Sequence, residues 1–306
     1  DKERQGLSYI ETIREPIEYI QQHRGLMAAI LSGDQGLRNQ AREISRRVDQ
    51  AFTNLEKLDQ KLGSELETKQ KLNSIQSKWE KIKADLRRLT IKQSFKRHTQ
   101  LVKDLTGLAS HVAESSNITL DPHLDSFYLG DAVVSRLFNL TEAMGQSRAV
   151  GSAAAAAKEL DKQQHIRLAV LTAQMQNNND SLNQGLESAF AENPDLARNQ
   201  ETFARDNSQA VQSLSKILHN DLLDAQTITV EAETVFDAAT KAINETYRLY
   251  DAITPELDRL FIQRIEQNTW IRNMVLAVVV ITLTIVVYLF AGLYISMSSS
   301  IISVAG

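Results

Sequence analysis

The chain of 306 residues carries 34 Lys and Arg against 38 Asp and Glu, a net charge of -4, with six His and no Cys. That near balance excludes a phosphate-backbone surface, which needs clustered excess cations, so nucleic acid is not an expected partner. Without Cys there are no disulfides, thiolate metal sites or cysteine nucleophiles. The six His form no HxxxH or HExxH pair, so no metal and no cofactor are expected.

Four Pro and twelve Gly punctuate long stretches of Leu, Ala, Gln, Glu, Lys and Arg, a composition that favours helix throughout. The run SGDQG at 32–36 closes a first helix. Apolar residues at 44, 48, 52, 55, 58, 62 and 66 then draw one helical stripe. Gly63 and Ser64, ahead of ETKQK, mark a break, after which Ile75, Trp79, Ile82, Leu86 and Leu89 repeat the spacing. The clearest loop is SSNITLDPHLD at 115–125, with Asp121 and Pro122 opening the next helix. Gly145 and Gly151, beside the Ala run 153–157, predict a close helix approach or a bend. In AENPD at 191–195, Asn193 is placed as N-cap and Pro194 in the first turn. The segment ITVEAETVF at 228–236 alternates like a strand, but continues into a helical period. From about Thr229 only Pro255 interrupts the pattern, and it is expected to kink a long helix near Ile253.

Residues 273–306 contain no Asp, Glu, Lys, Arg or His, and Met274 to Ile295 are almost wholly apolar. At 1.5 Å rise per residue, about 20 such residues cross a bilayer core, so a transmembrane helix is expected. Trp270, Arg272, Tyr288 and Tyr294 occupy positions suited to the interfaces. The expected organisation is all-α: an elongated antiparallel helical bundle over 1–272, a span over 273–295 and a short continuation over 296–306. Breaks near 33, 63, 120 and 151 give too many segments for four equal helices, which favours two stacked four-helix bundles over one long bundle.

Binding chemistry concentrates at a few positions. Arg24 lies in an apolar run, where a guanidinium is costly unless paired. Either it pairs with Asp125 or Asp131 and fixes helix packing, or it grips a carboxylate or nitrate-like anion. Asp125, Tyr128, Arg136 and Arg148 form a second candidate group. Asp125 and Tyr128 share a helix face, and Tyr128 either donates its hydroxyl to a ligand or fills the core. Asp121 with Pro122 is placed as a helix cap. Catalysis has no support: Glu231 and Glu233 point apart on a helix, and neither a phosphate-cradling Gly loop nor a G-x-S-x-G elbow occurs, so no enzyme is expected.

Three strings carry a resemblance. Residues 22–34, QHRGLMAAILSGD, are similar to the Q-x-H/E-R-G-L-x-A-x-L-x-G-D string in the first helix of helical sensor modules, nitrate-sensor-like and chemoreceptor ones among them. Residues 120–129, LDPHLDSFYL, with Asp131, Arg136 and Leu137, resemble a segment common in chemoreceptor sensor domains. Residues 144–149, MGQSRA, are similar to the helix end that follows there. On these residues the chain resembles the sensor half of bacterial methyl-accepting chemotaxis proteins.

That resemblance implies a homodimer in the bacterial inner membrane with its bundle on the periplasmic side. It implies a small polar or anionic ligand, or a periplasmic binding protein, as input. A HAMP linker would begin at 296–306 and lead to cytoplasmic signalling proteins, although this stretch lacks the basic residue and Pro usual there. Two other expectations stand beside it: the input module of a sensor histidine kinase or diguanylate cyclase, and a tail-anchored helical tether without a ligand.

Overall fold

Amphipathic stripes become helices in the computed structural model, which describes residues 2–86 and 88–304, with side chains to Tyr294. Helix α1 (Lys2–Leu31) ends where Gly33 takes φ 121°, a left-handed value open to glycine. A short turn, Gln35–Leu37, in which the Asp34 side chain accepts the Gly36 N–H, leads into α2 (Arg38–Leu62). The stripe buries Ile44, Val48, Phe52 and Leu55, and α3 (Lys69–Asp85) buries Leu72, Ile75, Trp79 and Ile82. Helix α4 (Ile91–Ser115) opens on a capping box in which Thr90 and Gln93 satisfy each other's backbone N–H.

The second half is also helical. Helix α5 (Leu124–Asp131) passes through one π-helical turn, Ala132–Arg136, into α6 (Leu137–Ala157). Helices α7 (Lys162–Glu192) and α8 (Pro194–Ile217) follow, then a second π-helical segment, Leu218–Leu223, and α9 (Ala232–Val304). Among the described residues there is no strand, and 228–230 are irregular rather than extended pairing segments.

Local details depart from expectation for physical reasons. The helix after the 115–125 loop starts at Leu124, later than Asp121–Pro122. Asp121 instead closes the turn by accepting the His123 N–H and the Ser126 hydroxyl. Asn193 is the N-cap of α8 with Pro194 in the first turn, as expected, but its amide makes no cap bond and donates to Asp125 at 3.2 Å. Helix α6 runs unbroken through Gly145 and Gly151 and stops at Lys158, which takes φ 53°. Gly151 is a close approach rather than a bend, since an added Cβ would sit 3.0 Å from Val235 Cγ1.

Two helical groups form, α1–α4 and α5–α9. In the first, Tyr9 bonds Asp59 while Arg47 lies over Tyr19, so α1 and α2 are antiparallel. In the second, Gln176 bonds Ser215 and Asn183 bonds Ser208, which sets α7 against α8. The groups lie alongside each other. Helix α1 runs antiparallel to the first part of α9, as shown by Arg4–Asp258 at 2.7 Å, Arg14–Asp251 at 3.3 Å and Tyr247–Gln21 at 3.1 Å.

The chain divides into two compact units, Asp1–Asp258 and Arg259–Gly306. The first contains both helical groups. The second contains the remainder of α9, whose apolar window has a mean hydropathy of 2.8 and buries none of its surface. By length and composition this helix can cross a membrane. The backbone stays helical to Val304, while residues 305 and 306, and the side chains of the expected linker at 296–306, lie outside the described residues.

Candidate functional site

Helices α1, α4, α6, α7 and α9 contribute to a cleft of about 1340 Å³ that is lined by Arg24, Phe95, Arg148, Arg167 and Phe236. Its construction starts with two small residues. A Cβ on Gly145 of α6 would lie 3.3 Å from Arg24 Nη2, and one on Gly25 of α1 would lie 3.9 Å from Arg148 Nη2. Each guanidinium therefore lies over the glycine of the facing helix, which explains why an Arg-Gly pair on α1 matches a Gly-x-x-Arg spacing on α6. A Cβ at 145 would press on Arg24, whereas one at 25 would meet Arg148 at ordinary contact distance.

Arg24 is only 2 % exposed, and it is paired. It donates to both oxygens of Glu142, at 2.5 and 3.0 Å, and to the Thr99 hydroxyl at 2.8 Å. Gln21 and Gln146 donate to the same carboxylate. The expected partners Asp125 and Asp131 are elsewhere. Asp125 accepts the Ser126 N–H and the Asn193 amide, tying α5 to the α7–α8 turn. Asp131 takes Arg136 Nε at 2.8 Å, because the π-helical turn brings residues five apart onto one face.

Arg148 differs from Arg24. It donates to the Thr240 hydroxyl at 2.9 Å and stacks 4.8 Å from the centre of Phe236, but among the described residues no carboxylate pairs with it. Arg167 donates to Gln146 at 3.0 Å and stacks at 4.8 Å on Phe95, whose ring also carries Arg24 at 4.9 Å. Burial lowers the proton affinity of Arg148, and the positive charge of Arg24 lowers it further. Arg167 is lowered by burial and then by Arg24, with Glu142 opposing. The lining sets Arg24, Arg148, Arg167, Lys92, Lys96 and Lys103 against Glu18 and Asp161, with Glu142 held by Arg24, so the cleft is short of negative charge.

Behind Arg24, His23 and His98 are buried with ring nitrogens 2.8 Å apart, and His98 Nδ1 lies 2.8 Å from the Ser94 carbonyl. Trp79 meets the His23 ring edge-on at 5.1 Å. If His98 Nδ1–H donates to Ser94, then His98 Nε2 accepts from His23 Nδ1–H, so both rings are neutral. Burial depresses both pKa values, and the neighbouring ring adds to the effect on His23.

Of the five sequence-derived candidates, the fold brings Arg24 and Arg148 together. Asp125, Tyr128 and Arg136 do not line this cleft. Tyr128 instead covers Gly185, where a Cβ would meet its ring at 3.0 Å, and stacks edge-on against Phe127. Glu142, Thr99, Arg167 and the two Phe rings were not singled out from sequence. Glu142 carries a partial signal, for it stands three residues before Gly145 and six before Arg148, on one face of α6.

An all-helical module with a cationic cleft between its helices, ending in a membrane-length helix, has the construction of a ligand-sensing input domain. The family model described as nitrate and nitrite sensing matches residues 17–258, and the chain belongs to that family, a sensing domain of signalling proteins. Among solved structures, that of the NasR transcription antiterminator is similar to it in fold, with a TM-score of 0.62 at 13 % identity over 83 % of this chain and 67 % of that one. No curated protein matches the chain significantly.

Proposed function

We propose that this chain is the input half of a membrane-spanning receptor that captures nitrate or nitrite between α1 and α6. The observation that carries this reading is Arg148, a largely buried guanidinium without a carboxylate, set beside an Arg24 that already has one. A planar oxyanion matches the planar donor fork of a guanidinium, and its charge relieves the repulsion between the two cations. Family membership supports nitrate and nitrite as the anions. The cleft far exceeds one nitrate, so the anion would occupy its Arg24–Arg148 end, where the rings of Phe95 and Phe236 stack on the two guanidiniums.

The signal would travel along α9. Thr240, which holds Arg148, lies on that helix, so drawing Arg148 toward an anion changes a contact on the element that continues into the apolar segment. A differential affinity worth about 1–3 kcal/mol suffices to bias two packings of the bundle. We assign the bundle to the periplasmic side of a bacterial inner membrane, in a homodimer that passes a helix displacement to a cytoplasmic signalling module of the chemotaxis type. The strings at 22–34, 120–137 and 144–149 support that assignment.

Thermal melting of the full chain in nanodiscs, with nitrate, nitrite, chloride or sulfate at matched ionic strength, tests the ligand. A free anion concentration of about 100 times Kd should stabilise the fold by about 2.7 kcal/mol. Nitrate or nitrite should raise the midpoint above chloride and sulfate; equal midpoints in all four salts would refute the anion assignment.

A further inference from the structure

The loop between α4 and α5 holds apolar side chains out in solvent. Leu120 is 74 % exposed, Leu124 51 % and Phe127 39 %, with Pro122 exposed between them. Among the described residues of the first unit, no large apolar side chain is more exposed than Leu120. Leu124 and Phe127, three apart, share a face of α5.

This exposure is built into a firm turn. Asn117 reverses the chain at φ 68°, and Ile118, 2 % exposed, anchors it. A Cβ on Gly6 of α1 would lie 3.3 Å from Ile118 Cδ1, and one on Gly130 would lie 3.1 Å from Ile118 Cγ2. Asp121 then accepts the His123 N–H and the Ser126 hydroxyl. The turn thus buries Ile118 and still presents Leu120, Leu124 and Phe127 outward, the arrangement of an apolar contact surface rather than of a scattered exposed residue.

Position selects the partner. Ser116 and Ile118 pack on Gly6, just after Arg4, and Arg4 holds Asp258, the last residue of the first unit. On the other side Asp125 takes the Asn193 amide at the start of α8, which runs antiparallel to α9 through Asn207–Thr246 and Gln200–Glu256. Asn193 precedes Gln200 by about two helical turns, so the loop lies at the end of the unit that the chain leaves along α9. From Asp258 to Trp270, at the border of the apolar window, is at most about 18 Å of helix. We propose that Leu120, Leu124 and Phe127 rest on the lipid surface that α9 crosses, a proposal that depends on reading α9 as a membrane span. Leu and Phe suit the boundary between headgroups and acyl chains. The contact would brace the α5 end of the bundle on the bilayer, so that a displacement of α9 is made against a fixed support.

The chain has no Cys, so single Cys variants can each carry one polarity-sensitive fluorophore. His123→Cys sets it among the three apolar side chains without replacing them, Asn39→Cys in the first turn of α2, past the far end of α1, and Val275→Cys in the apolar window. In nanodiscs whose lipid carries a nitroxide near the top of the acyl chain, the probes at 123 and 275 should lose at least about half their emission, and the probe at 39 almost none. Leu120→Asn/Leu124→Asn/Phe127→Asn should abolish quenching at 123 and leave it at 275, while melting like the parent, since the replaced side chains are already exposed. Leu120→Asn alone should lower quenching at 123 in the same direction. Quenching at 275 without quenching at 123 would overturn the lipid contact, whether the loop faces water or a second copy of the chain. Quenching at 123 that survives the triple variant would overturn it too. An unquenched probe at 275 would overturn the span reading, and this proposal with it.

Discussion

Replacing Arg24 separates the two roles a buried guanidinium can play. Arg24→Met leaves Glu142, which is 18 % exposed, without its bidentate cation, although the Gln21 and Gln146 amides still donate to it. Breaking a fully buried pair costs about 3–5 kcal/mol, and the two remaining donors bring the expected loss to about 2–4 kcal/mol. For a domain of this size that is a fall of roughly 5–12 °C in melting midpoint. Arg24→Met/Glu142→Met removes both charges and should recover most of the loss, since apolar replacement of a buried pair is often neutral. Arg148→Met should behave differently. It abandons no carboxylate, relieves repulsion with Arg24, and keeps an apolar contact with Phe236, so about 1 kcal/mol or less is at stake. Thermal and urea melts of the four proteins, followed by far-ultraviolet circular dichroism, measure this. A double variant as unstable as Arg24→Met, or an Arg148→Met as damaging as Arg24→Met, would refute the division between a structural and a ligand-ready arginine.

Two further outcomes follow from the surrounding packing. His23 and His98 are held neutral, with folded pKa values depressed below the unfolded value near 6.5, so their contribution is complete above that pH and is lost as pH falls below it. The slope should approach about 2.7 kcal/mol per pH unit for the two rings together, read from melts between about pH 7 and 5. The His23→Gln/His98→Asn variant should flatten that slope whatever it costs in absolute stability, and an unchanged slope would contradict the buried neutral pair. Gly6→Ala would place its Cβ 2.1 Å from Ser116 Oγ and 2.4 Å from Ser116 Cβ, a clash that side-chain rotation alone cannot relieve. A loss of about 1–3 kcal/mol is expected, partly recovered by Ser116→Gly in the same chain, and wild-type stability of Gly6→Ala would contradict the close approach of α1 and the α4 end.

What sequence reveals here is governed by range. The stripe through Ile44, Val48, Phe52 and Leu55, the Gly33 stop and the Pro194 start depend on neighbours within a few turns, and these features appear where the periodicity places them. The π-helical turn at Ala132–Arg136 was not legible, because no local composition distinguishes it from ordinary helix. It is that turn which pairs Arg136 with Asp131 and separates Arg136 from the cleft. Arg24 announced its need for a partner through its apolar surroundings, but Glu142 lies 118 residues away and is chosen by the packing of α6 on α1. Asp125 and Tyr128 looked like ligand groups for their polarity, whereas the contact of α5 with α7 commits one to Asn193 and the other to Gly185. The reciprocal glycines at 25 and 145 were visible as letters, and their purpose became readable only when the helices faced each other.

The most direct measurement is a nitrate titration by calorimetry on the full chain and on Arg148→Met, both in nanodiscs and both checked for native melting. Saturable binding at one site per chain in the parent, with loss of at least about tenfold in affinity in the variant, is expected if Arg148 grips the anion. No saturable heat in the parent, or unaltered affinity in a folded Arg148→Met protein, would contradict it.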